Sequence, residues 1–176
     1  QHLPPQNLEA EESLISAVLI DNATLLEVIE VLKPEDFYRT AHERSFTAMT
    51  DLFSHSEPVD LITLTNKLKE KGQLEEIGGA AYLAKLSASV PNAAHAVYYA
   101  GIVTEKAVYR KLIESSTEIL RDAYDQASTA KELFAQAEQK VFAIMDGLSA
   151  QSVHSISDVL HQAMDRMESR MRDEFV

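Results

Sequence analysis

Few residues in this sequence stand at spacings that could do chemistry, and each candidate lacks a partner. The phosphate-cradling loop of nucleotide hydrolases needs G-x-x-x-x-G-K-S/T, because its backbone amides wrap the phosphates and its lysine reaches them. None of Gly72, Gly78, Gly79, Gly101 and Gly147 is followed by lysine. His42-Glu43 opens like the H-E-x-x-H zinc helix, but Phe46 occupies the place of the second histidine. Di-iron helical bundles need two Glu-x-x-His pairs, and the nearest match is a single Asp158-x-x-His161. Cysteine is absent, so disulfides and thiolate metal sites are excluded. The chain therefore reads as non-catalytic, with no metal or cofactor expected in it.

Charge argues against nucleic acid as a ligand. Binding to phosphates needs lysines and arginines that displace counterions, whereas here 28 acids outnumber 16 bases and the net charge is −12. Tyr98 and Tyr99 could stack on single-stranded bases, but no basic cluster flanks them. Packing between subunits is the better reading of that pair. No apolar run approaches the roughly 18 residues of a membrane span, and no basic-then-apolar leader opens the chain. The composition fits the cytoplasm. The opening at Gln1 and an ending at Val176 in mid-pattern read as a trimmed piece of a longer protein.

The elements that must position any site are helical almost throughout, giving an all-α expectation. Asn7 can cap a first helix with Glu9, Glu11 and Glu12 in its opening turn, where the helix dipole favours acids. Leu14, Ile15, Val18 and Leu19 form its apolar face. Leu25, Leu26, Ile29 and Leu32 mark a second helix that Pro34 stops. Thr40 and Glu43 are spaced as a capping box before Phe46, Met49, Leu52 and Phe53. Asp60 caps the next helix, with Leu61, Leu64 and Leu68 on one side and Gly72 at its end. A short helix after Gly78 and Gly79 carries Tyr82, Leu83 and Leu86 and closes before Pro91. These five helices predict a compact head over residues 1–92.

Residues 93–147 read as an extended antiparallel hairpin. No proline interrupts 93–124, which is about 45 Å of helix. Tyr109, Leu112, Ser116, Ile119 and Ala123 repeat at 3-4-3-4 spacing. After a turn at 125–128, Thr129 and Glu132 form a second capping box. The returning helix carries Phe134, Ala137, Val141, Ile144 and Leu148 at the same spacing. Residues 148–176 are expected to be a linker, its small and polar residues around 149–152, and a separate amphipathic helix. That helix bears Ile156, Leu160, Ala163 and Met167 on one face. An apolar stripe beyond a linker needs a partner to bury it.

Several segments resemble the N-terminal domain of the DnaB family of replicative helicases. The start, Pro4-Pro5-Gln6-Asn7-Leu8-Glu9-Ala10-Glu11, is similar to the family's P-P-x-x-x-E-A-E pattern. Asp36-Phe37-Tyr38, His42 and Phe46 resemble its D-F-Y-x-x-x-H-x-x-x-F stretch. Pro58-Val59-Asp60-Leu61-Ile62-Thr63-Leu64 resembles its next helix start, and Gly72, Leu74 and Ile77-Gly78-Gly79-Ala80-Ala81-Tyr82-Leu83 its G-x-L-x-x-x-G-G-x-x-Y-L signature. Glu43 and Ser45 depart from the usual basic and apolar residues.

The resemblance implies a role that periodicity cannot show. The head and hairpin would pair between subunits into the collar of a hexameric ring and bind the C-terminal domain of primase. The last helix would dock on a neighbouring subunit's ATPase domain. That RecA-like domain, absent here, would use ATP and magnesium to separate DNA strands with 5′-to-3′ polarity. Candidate contacts are Tyr109, Leu112, Ile119, Phe134, Val141, Ile144 and Leu148 on the hairpin, and Ile156, Leu160, Ala163 and Met167 on the last helix. Two alternatives stand beside this. The hairpin stripe could serve only to hold the hairpin closed, and the chain could be a stand-alone helical adaptor for a helicase loader or replication regulator. His42, one turn before Phe46, is expected to be a satisfied core histidine, Phe37 a core plug, and Asp36 an acceptor for nearby backbone amides.

Overall fold

The computed structural model of the protein describes residues 2–174, apart from the side chains of 149–159 and 168–174. Seven α-helices follow one another, with no strand among the described residues, so the fold is all-α. They are α1 (Leu8–Ile20), α2 (Ala23–Val31), α3 (Thr40–Ser54), α4 (Leu61–Glu70), α5 (Gly79–Ser87), α6 (Ala96–Asp125) and α7 (Ala130–Glu174). A single 3-10 turn, Pro34–Asp36, joins α2 to α3. The chain divides into two compact units, Gln1–Ile113 and Glu114–Val176.

In the first unit the local signals act as their chemistry dictates. The Asn7 side chain accepts from the Ala10 amide at 3.0 Å, satisfying one of the free amides that open α1. Asp60 accepts from the Thr63 amide and Thr63 Oγ1 from the Asp60 amide, both at 2.9 Å. At the far end of α4, Gly72 takes φ +68°, and the Gln73 amide closes back on the Leu68 carbonyl at 2.9 Å. Leu14, Ile15, Val18, Leu25, Phe46, Met49, Leu64, Leu68, Leu83 and Leu86 then meet in one core from which water is excluded.

Two expectations are corrected here. The head does not end at residue 92, because the first part of α6 belongs to it. Ala96, Ala100, Val103 and Ala107 are buried at 4-3-4 spacing and close the core. Alanines weigh little in a hydrophobic pattern, yet they let the helix axis approach closely, so this stripe went unread. Nor do Thr40 and Glu43 form a capping box. Thr40 is already the first helical residue of α3, and its N-cap, Arg39, makes no side-chain capping bond. The entry to α3 is satisfied from elsewhere: the Tyr38 and Arg39 amides donate to Glu11 of α1 at 3.0 and 3.3 Å.

The second unit is built from the end of α6 and from α7. A turn with Gln126 at φ +50° separates them. Thr129 and Glu132 exchange backbone-to-side-chain bonds, each 3.2 Å, which open α7 as a capping box. The expected linker, with its small and polar residues around 149–152, is absent: α7 continues from Ala130 to Glu174 without a break. A lone Gly147 costs a helix only about 1 kcal/mol and no proline follows it. Small and polar residues alone do not stop a helix.

Candidate functional site

Two groups of residues could carry function: a buried polar cluster in the head and an exposed apolar surface on the hairpin. The cluster contains the residue types of a catalytic relay. His42 Nδ1 donates to Glu11 Oε1 at 2.8 Å, and in that tautomer Tyr82 donates to Nε2 at 2.7 Å. Glu11 and His42 have essentially no solvent access. Glu11 also accepts the Tyr38 and Arg39 amides. Both ring nitrogens are occupied, so none is left for a substrate or a metal. Burial pushes the Tyr82 phenol upward, opposed by the Arg39 guanidinium over its ring at 4.8 Å and reinforced by Glu12 and Glu11. The phenol thus stays a neutral donor. These groups tie α1, α3 and α5 together, and His42 is the satisfied core histidine that its spacing predicts.

The neighbouring motif residues are structural as well. Phe37 is buried against Phe46, their rings 5.1 Å apart. Asp36 Oδ2 accepts the Lys33 amide at 2.9 Å, as anticipated, and Oδ1 faces Lys111 Nζ at 3.2 Å. Arg110 donates to the Pro5 carbonyl at 2.8 Å and the Asp36 carbonyl at 2.6 Å, with Tyr38 under its guanidinium at 5.5 Å. Arg110 and Lys111 thereby fasten α6 to the head. Glu11 and Arg110 escaped sequence reasoning. Glu11 looked like one more first-turn acid, and Arg110 sits 105 residues from Pro5.

On the hairpin, the half-buried positions show where its two helices meet. They are Ser115, Glu118, Ile119 and Asp122 on α6 and Leu133, Ala137, Lys140 and Ile144 on α7. Lys140 and Glu118 pair across this seam at 2.8 Å. Of the expected stripe, Ile119, Ala137 and Ile144 lie in the seam. Phe134, Val141 and Leu148 do not, being 75%, 42% and 40% exposed. With Phe142 and Met145 they present a second apolar face of α7. Phe134, Ala137, Glu138, Val141, Phe142 and Met145 line a hollow of about 430 Å³ open to solvent. Tyr109 and Leu112 are also exposed but fall in the first unit, where Tyr98 is exposed and Tyr99 packs against the core. Farther along α7, Leu160, Ala163 and Met167 are exposed, while the side chain of Ile156 lies outside the described residues.

The comparison with known families bears on the head first. The family model described as DnaB-like helicase N terminal domain matches residues 3–105. The chain belongs to this family. The DnaB-like match covers α1 to α5 and the start of α6, through its buried residues Ala96, Ala100 and Val103. The replicative DNA helicase DnaB of Geobacillus stearothermophilus is 42% identical over 168 residues, which are 96% of this chain and 37% of that protein. The chain thus spans little more than a third of the curated DnaB relative it matches. The crystal structure of the N-terminal domain of DnaB helicase from Mycobacterium tuberculosis superposes with a TM-score of 0.77 at 38% identity, covering 80% of this chain and 99% of that one. A DnaB-like replicative helicase, whose structure was described with its interactions with primase, matches at TM-score 0.65 and 25% identity. It covers 78% of this chain and 31% of its own.

Proposed function

We propose that this chain is the non-catalytic N-terminal region of a hexameric replicative helicase, joining subunits into the collar of the ring and recruiting primase. The observation that carries this reading is the second apolar face of α7. Phe134, Val141, Phe142, Met145 and Leu148 are large, adjacent and exposed, although the hairpin closes without them. An apolar surface of this kind marks an interaction site. Within the family shown above, the occupants that fit it are the hairpin of a second subunit and the C-terminal domain of primase. Ile119 and Ile144 support that surface from the seam, and Tyr109 and Leu112 are further candidate contacts in the first unit.

Leu160, Ala163 and Met167 on α7 form a further exposed stripe, which we assign, together with Ile156, to docking on a neighbouring subunit. In the parent protein a separate RecA-like domain would bind ATP and magnesium and drive 5′-to-3′ unwinding in the cytoplasm. The acidic balance of this chain agrees with DNA being gripped there. Native mass spectrometry of the chain, titrated with the C-terminal domain of the host's primase, tests the reading. Even-numbered assemblies that take up primase, and that Phe134→Asp with Phe142→Asp disperses without loss of helicity, are expected. A monomer that ignores primase would overturn it. In the full-length protein, Leu160→Asp should impair ring assembly or unwinding, and wild-type behaviour would refute the docking role.

A further inference from the structure

We propose that Met145 is a site of oxidative modification whose sulfoxide weakens docking on the outer face of α7. The inference rests on the reading of that face as an interaction surface. The chain holds no cysteine and five methionines, so thioethers are its only sulfur. Met49 is fully buried in the head, whereas Met145, Met164 and Met167 are 58%, 60% and 65% exposed. The side chain of Met171 lies outside the described residues. Every exposed sulfur among the described residues therefore stands on α7, and a peroxide reaches the docking stripes before it reaches the core. Met145 is the one that lines the hollow beside Phe134, Val141 and Phe142.

The chemistry needs hydrogen peroxide as its oxidant and nothing else. A lone pair on the Met145 sulfur attacks one peroxide oxygen, and the S–O bond forms as the O–O bond breaks. The attacked oxygen gives its proton to solvent, and the departing oxygen takes one up and leaves as water. Sulfur gives up two electrons and the peroxide accepts them. The product is a polar sulfoxide where the hollow was lined by an apolar thioether. In the free chain Met145 is already hydrated and lies outside the hairpin seam, so folding is not penalised. A partner seated on the face has to strip the sulfoxide of its water and offers apolar side chains in return. Docking and oxidation therefore oppose each other: the partner shields the sulfur, and the added oxygen repels the partner. Sulfur is not needed to keep this surface apolar, since α7 carries leucine at Leu148 and Leu160.

The test follows the whole chain by native mass spectrometry, with and without the C-terminal domain of primase, before and after brief exposure to hydrogen peroxide. Peptide mapping locates each added oxygen. Met145, Met164 and Met167 should gain oxygen while Met49 does not, and Met145 should react about threefold or more slowly once docked. The oxidised chain should associate about tenfold more weakly or worse, with helicity and melting temperature unchanged. Met145→Leu, of nearly equal volume, should associate like the wild type and lose the sensitivity. Met164→Leu/Met167→Leu should keep it. Undiminished association of the oxidised chain, or equal sensitivity of Met145→Leu, would overturn the proposal and leave the docking reading standing. An untreated chain that neither assembles nor takes up primase would overturn both.

Discussion

Glu11 and His42, 31 residues apart, meet in a 2.8 Å hydrogen bond that no solvent reaches. The same carboxylate accepts the Tyr38 and Arg39 amides, so one side chain of α1 satisfies three donors at the entrance to α3. A buried donor left without its acceptor loses its hydration with nothing in return.

Glu11→Ala should therefore lower the stability of the head by about 3 kcal/mol or more, since three donors lose their acceptor together. Glu9→Ala, on the exposed side of the same helix turn, should change it by no more than about 0.5 kcal/mol. Urea unfolding of the two variants measures the difference. Equal midpoints would mean that the cluster does not hold the head together.

A second prediction compares two glycines that share a left-handed backbone. Gly78 has φ +112°, and a methyl group there would come within 2.9 Å of the Tyr82 Cβ. Gly72 has φ +68° and open space around it. Gly72→Ala should cost about 1 kcal/mol from backbone strain alone. Gly78→Ala adds a steric clash and should cost about 2 kcal/mol or more. Differential scanning calorimetry would rank the pair, and a larger loss at Gly72 would contradict the geometry.

The seam of the hairpin carries its own pH signature. The hydrogen bond and charge of Lys140 hold the Glu118 carboxyl below the ordinary glutamate range. A carboxyl lowered by folding contributes stability above that range, and the contribution is lost as the pH falls through the lowered value. The pair stands open to water, so the effect is small and screened by salt. Carbon-detected NMR of the Glu118 carboxyl should show its midpoint rising when Lys140 is changed to Ala. An unchanged midpoint would break the link between the two residues.

How much of this was legible in the sequence depended on the range of the interaction. Asn7, Asp60, Gly72 and the Thr129–Glu132 pair act within one helical turn, and their spacing alone locates helix ends. The motif segments from Pro4 to Leu83 located the family, which periodicity by itself could not. Glu11 and Arg110 act across the fold, and nothing local distinguishes them from ordinary surface charges. The expected hairpin stripe met the seam only at Ile119, Ala137 and Ile144, for a related reason. Period 3-4 marks apolar positions, but two helices meet along a narrow seam. Leu133, beside Phe134, took the seam position while the larger Phe134 remained outside. Ala96, Ala100 and Ala107 show the opposite failing, a buried stripe too small to register as one.

The continuity of α7 gives the sharpest contrast between sequence pattern and structure. Gly147 and the small residues after it suggested a linker, whereas the backbone there is helical and a Cβ at Gly147 would meet nothing within 4 Å. In a helix, Gly→Ala at an open position gains up to about 1 kcal/mol, because the backbone freedom of glycine is removed from the unfolded chain and no contact is strained. Gly147→Ala should therefore raise the helical circular dichroism signal at a given temperature and delay the melting of the second unit. In a flexible linker the same change would leave both untouched. Amide hydrogen exchange across 145–150 separates the cases residue by residue: slower exchange in the variant supports a continuous helix, and equally fast exchange in both proteins would restore the linker.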